Sequence, residues 1–496
     1  MSAIKDAGGV RPFLIGKDWS LGGGKCFESI CPIDGTVAAT IAEADADDVD
    51  AAVACARAAL NDPRWAGLRA HQRARLLHRL ADLLERDAEQ LAQIQTRDNG
   101  KTIFESRLQV MGAAETFRYY GAVCEVAESE VMVPRGNYFS FSTYEPIGVV
   151  AAITPWNSPL TQESVKLAPA LAAGNTVILK PSEVTPQIGL EFGRLALEAG
   201  FPPGVLNVLS GTGRSVGSAL VAHPDIDMVT FTGGTTSGRL IGKIAAERPI
   251  PVMLELGGKS PNIIFDDMDL DRAVQGALYG IFPNAGQSCI AGSRIFVHDK
   301  IYDAFLPRLV EAVASLRVGD PYDPLTAVAP VGSFEHRDRI EAYIERARQE
   351  GAKLLCGGQR PGGPLAKGAY VMPTLLEVAD NNATVAQEEI FGPVACLLRF
   401  KDEDDLVRQA NDTVFGLACG IWTRDYKRAL RVAGRLKAGT VWINTYRTIM
   451  INMPFGGYKA SGIGRECGVN GMRAYQAQKS VYMDLSETPI PWPPKA

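Results

Sequence analysis

Histidine is scarce in this chain of 496 residues, with five in all: His71, His78, His223, His298 and His336. None stands at metal-ligand spacing from a cysteine, so no structural zinc or other metal site is expected. None advertises a Cys–His catalytic pair either. The nine cysteines (Cys26, Cys31, Cys55, Cys124, Cys289, Cys356, Cys396, Cys419 and Cys467) are odd in number, irregularly spaced and include no C-x-x-C. That pattern argues against a disulfide framework and suits a reducing compartment. Long apolar runs are missing: the most apolar stretch, Ile147 to Ile153, falls far short of the roughly 20 residues that cross a bilayer. An excess of one charge is missing too. With 51 basic and 56 acidic side chains the formal charge is −5, which gives no reason to expect nucleic acid or an anionic membrane as a partner. The opening MSAIKDAGGVRP carries no apolar core or cleavage pattern, so the expectation is a soluble, cytoplasmic protein.

What is present is ordinary globular composition, 46% apolar and 22% charged, over a length that suits two to four domains of roughly 100–200 residues. The first third reads mostly helical. Asp45 caps a pattern running through VDAAVACARAAL, a second pattern runs from His71 to Thr96, and a third reaches about Cys124. Asp98-Asn99-Gly100 reads as the stop after the second. From Val131 to Ser142 a Pro-Arg-Gly-Asn turn and alternating Phe139 and Phe141 predict a β-hairpin, whose exposed aromatics are a liability unless covered, burial against another chain being one way. The middle of the chain alternates short apolar runs, ending at Ile153, Leu179, Leu209, Phe231 and Leu254, with helical stretches of about 20 residues. Repeated β-α-β units of this kind imply a parallel sheet covered on both faces, with ligands beyond the carboxyl ends of its strands. All five ends are polar or glycine-rich, which favours a nucleotide site over mere solvation. The alternation resumes at Asn262–Phe265 and Arg294–Val297, with a helix from Lys300 to Leu316, and continues to about Gly468, enough for a second α/β domain. The tail Pro489-Ile490-Pro491-Trp492-Pro493-Pro494 cannot form a regular helix.

Three residues carry candidate chemistry, each with a plain structural alternative. Cys289, in NAGQSC, stands among small and polar residues that leave a thiol accessible, but a packing position at a helix start fits equally. Glu255 closes the fifth apolar run, where partial desolvation raises a carboxyl toward a working base; a salt bridge to Lys259 is the alternative. Asn157, after Pro155 and Trp156, has an amide suited to a developing oxyanion or to an Asx turn before Pro159. The glycines are weak signals. Gly211-x-Gly213-x-x-x-Gly217 opens a helix after the third strand or equally makes a tight loop, and Gly233-Gly234-Thr235-Thr236-Ser237-Gly238 opens a helix whose N–H groups suit a phosphate.

Taken in order, PWNSP, LKPSE, FTGG…G, LELGGK, NAGQSC, EEIFGPV and PFGGYKASGIGRE resemble the NAD(P)-dependent aldehyde dehydrogenase superfamily, from about residue 10 to 485. The resemblance implies a Rossmann-like parallel-sheet cofactor domain (1–127 and 147–257), a second α/β catalytic domain (258–467) and a small β oligomerisation arm (128–146 and 468–496). It implies that Cys289 attacks the aldehyde, that Asn157 and the Cys289 N–H hold the oxyanion, and that Glu255 activates water against the resulting thioester. For the cofactor it implies Lys180 and Glu183 at the adenosine ribose, Gly233 at the pyrophosphate, and Glu389 with Phe391 at the nicotinamide ribose. Thr154, Trp156, Ser182, Gly213, Gly217, Phe231, Gly234, Gly238 and Leu256 complete that set. The arm implies a homo-oligomer, dimer or tetramer.

The same resemblance runs a substrate tunnel along Gly112, Ser158, Thr161, Gln162, Val165, Pro283, Ser288, Ile449 and Phe455, a set with room for a medium-sized aldehyde. Against the family pattern, Gly234 replaces a phosphate-facing serine. Glu183 favours NAD, since a 2′-phosphate would meet like charge, with NADP left open. Ser158 and Val165 remove the aromatic cage of betaine aldehyde members, and Pro283 replaces the arginine of succinic semialdehyde members. Arg447 stands near the tunnel mouth, there either to attract an acidic substrate or, the favoured reading, to pair within the protein.

Overall fold

The computed structural model describes residues 9–487. Five strands with no exposed residue or nearly none, Val149–Ile153, Thr176–Lys180, Leu206–Val208, Met228–Thr232 and Val252–Glu255, are the apolar runs of the middle segment. Their β-branched, two-sided burial is what a parallel strand between helix layers requires. They pair in parallel at the centre of an eight-stranded sheet, in the spatial order Val252–Glu255, Met228–Thr232, Val149–Ile153, Thr176–Lys180, Leu206–Val208. The chain leaves the central Val149–Ile153 strand toward one edge, then crosses back to Met228–Thr232 on its other side. This reversal opens a crevice between the carboxyl ends of those two strands.

A seven-stranded sheet follows, with Arg294–His298 and Pro261–Ile264 side by side at its centre and a single antiparallel edge strand, Lys353–Cys356. Each large sheet anchors its own hydrophobic core. The two are stitched together by Gly462–Ile463, which pairs antiparallel with Val252–Glu255. A third, small sheet pairs Gln476–Asp484 with Tyr138–Pro146 along nine residues, and the latter with Glu130–Val131. The expected hairpin is therefore there, extended by a strand from the far end of the chain.

Two sequence expectations change. The pattern from His71 to Thr96 is two helices, Ala70–Arg86 and Ala88–Asn99. The break falls at Asp87, whose carboxylate is held by Arg86 and Arg194, both at 2.7 Å. Gly100, with φ of 77°, ends the second helix as the sequence suggested. The first third is less helical than it reads, because Val10–Arg11, Cys26–Ile30 and Val37–Ala42 form a separate sheet. The Pro-rich tail at 489–494 lies outside the described residues.

Candidate active site

A cleft of about 570 Å³ opens at the crevice, floored by the eight-stranded sheet and walled by loops that follow the seven-stranded one. Trp156, Asn157, Gln162, Ser182, Glu183, Gly233, Gly234, Glu255, Leu256, Cys289, Glu389 and Phe391 all line it. The remaining cofactor candidates lie against these. Lys180 is buried, with Nζ donating to the Pro181 carbonyl (2.8 Å) and Glu183 (3.3 Å), and burial pushes its ammonium below the usual range. Gly217 packs beside its stem, where an added Cβ would lie 3.7 Å away, and the Gly213 N–H points at Glu183 from 3.5 Å. A Cβ on Gly233 would fall 2.4 Å from the Phe231 ring, and one on Gly238 2.3 Å from Leu256, so these glycines bring backbone to the cleft where a side chain cannot fit. Gly234 has open space instead.

The hydroxyls of Thr154, Thr232 and Thr235 are buried and without partners, and Thr235 begins the twelve-residue helix Thr235–Ala246. Unspent donors beside a helix N-terminus fit a dinucleotide diphosphate and its sugars.

Cys289 sits just after a strained turn. Pro283–Gly286 is a short 3-10 element in which Asn284 and Ala285 hold φ of 55° and 50°. Gly286, at φ 71°, presses against the Gly392 carbonyl, where a Cβ would lie 2.0 Å away. Gly258 presses likewise on the Cys289 carbonyl, at 2.2 Å. The LELGGK, NAGQSC and EEIFGP motifs thus meet backbone to backbone, which is why glycine is required at each contact. Asn157 makes no Asx turn: its Nδ2 donates to the Gln287 carbonyl at 3.0 Å, two residues before the thiol. Asn284 locks the pair by donating to the carbonyls of Asn157 (3.1 Å) and Gln287 (3.0 Å). The Cys289 thiol is pushed up to about 12 by burial, with Glu389 and Glu255 adding like-charge repulsion; Arg447 and its own N–H oppose this.

Glu255 ends its strand 3% exposed, with neither carboxylate oxygen hydrogen-bonded, so the alternative of a Lys259 salt bridge is not realised. Burial raises its carboxyl well above the usual range, Glu466 raises it further, and Lys166 and Arg465 lower it. Glu466 itself is paired with the buried Lys166 at 2.6 Å, and Lys166 also donates to Thr230 at 3.0 Å. This neighbouring ion pair joins residues 300 apart, and nothing in the local sequence announces it.

On the opposite wall, Trp156 and Phe391 were expected from the sequence, but His336, Arg339 and Tyr343 were not. Trp156 and Phe391 meet edge to face at 5.4 Å, and His336 packs on Trp156 at 5.0 Å. His336 Nε2 lies 2.7 Å from the Phe391 carbonyl and must donate to it, leaving Nδ1 to accept from Arg339 (3.3 Å). Burial holds this imidazole down to about 4, so it is neutral. The bond fixes Phe391 at a φ of 61°, uncommon for an aromatic residue. His336, Arg339 and Tyr343 line the cleft from one helix, Phe334–Gln349, whose own pattern is that of a surface helix.

Of the tunnel residues, Gln162 reaches the cleft itself. Ser158 accepts from Lys101 (3.4 Å) and Gln109 (3.2 Å). Val165 is buried, Thr161, Pro283, Ser288 and Phe455 are half-buried, and Gly112 and Ile449 are exposed. Arg447 departs from the favoured expectation of an internal pair. Among the described residues no carboxylate bridges to it, and its buried Nη1 has no hydrogen-bond partner.

Comparison with known proteins identifies the family. Residues 19–481 match the model of the aldehyde dehydrogenase family. The chain is 46% identical over 466 residues to an aldehyde dehydrogenase of Enchytraeus buchholzi, covering 93% of each chain, and 41% identical over 465 residues to the betaine aldehyde dehydrogenase of Bacillus subtilis, covering 93% of this chain and 95% of that one. It superposes on a crystal structure of Staphylococcus aureus betaine aldehyde dehydrogenase in complex with NAD+ with a TM-score of 0.95 at 38% identity, covering 97% of this chain and 96% of the other. The NAD+ complex of a Bacillus cereus aldehyde dehydrogenase gives 0.94 at 41%, covering 96% of each. A shared α/β scaffold, motifs that meet around one cysteine and this extent of identity together mean that the chain belongs to the aldehyde dehydrogenase family.

Proposed function

We propose that the protein oxidises an aldehyde to its carboxylic acid with NAD, through a covalent intermediate on Cys289. The observation that carries this reading is the convergence of Cys289, Glu255 and Asn157 on one cleft. As it stands the thiol is too weakly ionised to attack at neutral pH, and Glu255, a raised carboxyl with both oxygens free, is the group to take its proton. The sulfur adds to the aldehyde carbon, and the oxygen that gains the negative charge is received by the Asn157 amide and the Cys289 N–H. When bound, NAD supplies the acceptor for the hydride this carbon gives up. The acyl group then rests on Cys289 as a thioester. Glu255 passes the thiol's proton to solvent and then takes one from water, the water oxygen attacks the thioester carbon, and the C–S bond breaks to return the thiolate and release the acid.

Cofactor placement follows the same reading. Lys180 and Glu183 would hold the adenosine ribose, the loop at Gly233 and Gly234 the diphosphate, and Glu389 with Phe391 and Trp156 the nicotinamide end. The NAD+ complexes of the two similar structures support this choice, and the Glu183 carboxylate favours NAD over NADP. The eight-stranded, seven-stranded and arm sheets support the division into cofactor, catalytic and arm segments at 127, 147, 257 and 467. Nine free thiols support a cytoplasmic location.

NADH formation with a panel of aldehydes tests the reaction. Cys289→Ala is expected to lower turnover by roughly a thousandfold or more; a variant that keeps full turnover removes Cys289 from the mechanism. The arm sheet leaves Val131, Val133, Tyr138, Phe139, Tyr482 and Met483 exposed, which supports a homo-oligomer. Sedimentation should find a dimer or tetramer, and a monomer at micromolar concentration would refute that assembly.

A further inference from the structure

Beyond the cleft, a second group of polar side chains gathers on another side of Cys289. Lys101, Glu105 and Gln109 come from the start of the long helix Ile103–Val126 and the turn before it, Asn284 from the strained turn, and Arg447 from the loop after Thr440–Ile443. Hydrogen bonds join Lys101 and Gln109 to Ser158 and Glu105 to Asn284, and electrostatics brings in Arg447. The Tyr446 hydroxyl donates to the Ile290 carbonyl at 3.0 Å, which places the neighbouring Arg447 against the cysteine loop, and Arg447 acts electrostatically on both Cys289 and Lys101. Lys101 touches Ser158, next to Asn157.

The charges in this group do not balance. Lys101 is only 2% exposed, yet its polar contact is the long 3.4 Å bond to Ser158, and burial pulls its ammonium down to about 8. Arg447 carries a solvent-excluded Nη1 with no partner and a backbone φ of 59°, a conformation that costs energy for a residue other than glycine. The carboxylate facing them, Glu105, is already engaged: one oxygen accepts the Asn284 N–H at 2.8 Å and the other the Thr102 hydroxyl at 2.8 Å. Among the described residues no ion pair joins it to either cation. Buried Lys101 and half-buried Arg447, whose Nη1 is shut off from solvent, set two cations against one occupied carboxylate and leave a net positive charge where unpaired charge is costly. An anion from the substrate relieves that cost, and a guanidinium with free donors is shaped for a planar carboxylate.

We propose that Arg447 and Lys101 form a carboxylate-recognising end to the substrate passage, so that the protein prefers aldehydes carrying a carboxylate at the far end of the chain. The proposal rests on the reading of Cys289 as nucleophile and adds a substrate class to it. The cations come from positions other than the family's arginine site, which is Pro283 here.

Succinic, glutaric and adipic semialdehydes, each compared with its methyl ester, provide the test. Wild-type kcat/KM for at least one acid should exceed that of its ester by about tenfold or more, the order expected of one charge-assisted pair. In Arg447→Gln that ratio should fall to within about twofold of unity, mainly through KM of the acid, and Arg447→Lys should retain an intermediate ratio. A readout without turnover is alkylation of Cys289 by iodoacetamide: glutarate should slow it in the wild type and much less in Arg447→Gln. Esters oxidised as well as acids by the wild type overturn the proposal and leave the dehydrogenase reading intact. No oxidation of any aldehyde overturns both.

Discussion

Glu255 and Glu389 both reach toward Cys289, and both carboxyls are raised by burial, yet the fold treats them in opposite ways. Glu255 ends a strand of the eight-stranded sheet and has no hydrogen bond at either oxygen. Gly456 makes room for it, since a Cβ there would lie 2.7 Å from Oε1. Glu389 stands on a loop of the other sheet and is pinned. Its Oε1 accepts the Gly258 N–H at 3.0 Å, and its Oε2 lies where a Cβ on Gly257 would come within 2.2 Å. The pinned carboxyl is raised only to about 7, because that N–H and Lys259 favour its charge, whereas Glu255 has just Lys166 and Arg465 against burial and Glu466. A free, strongly raised carboxyl suits proton transfer, which needs a group that can turn toward water. A pinned one suits holding a sugar hydroxyl in place.

The largest expected effect comes from removing the free carboxyl. Glu255→Gln should lower steady-state turnover by roughly 10²–10⁴. It should still form thioester, detectable as mass added to Cys289 after denaturation; loss of acylation and hydrolysis together would give Glu255 a different role. Altering the pinned carboxyl should cost less. Glu389→Gln is expected to raise KM for NAD by about tenfold and to change the pH profile of stability. The folded chain holds the Glu389 proton more tightly than the unfolded chain, whose carboxyl titrates near 4.5. This contribution is present below that pH and lost as pH rises through about 7. Between pH 5 and 8 the wild type should therefore lose up to roughly 3 kcal/mol that the variant does not, read by urea unfolding at each pH. A variant with the wild-type slope would show that Glu389 is not the titrating group. The smallest effect is reserved for a position that touches neither carboxyl. Gly234→Ser adds a side chain into open space, so stability should change by less than about 0.5 kcal/mol. Its hydroxyl should tighten NAD binding a fewfold by calorimetry; weaker binding would show that the loop needs glycine.

Much of this comparison was legible from the residues. The five apolar runs mark the parallel strands because two-sided burial leaves little choice of side chain, and ligands collect where such strands end. Cys289, Glu255 and Asn157 stood out by their positions, although each kept a structural alternative that local sequence could not remove. Where the reading failed, distance along the chain was the cause. The break at Asp87 depends on Arg194, the Lys166–Glu466 pair spans 300 positions, and His336 became part of the cleft wall only through Phe391. Arg447 was expected to find a partner inside the protein, and its buried Nη1 has none.

By itself, then, the sequence determined the apolar strands of the middle segment and the polar character of their ends, since these follow from periodicity and burial, and it offered Cys289, Glu255 and Asn157 as candidates without removing their structural alternatives. The tertiary structure alone decided how each group is charged and where it is held. The glycine contacts at Gly257, Gly258 and Gly286 bring the loops of two sheets to touching distance. A carboxyl's proton affinity depends on the solvent removed and the charges brought near, and neither exists until those loops have met.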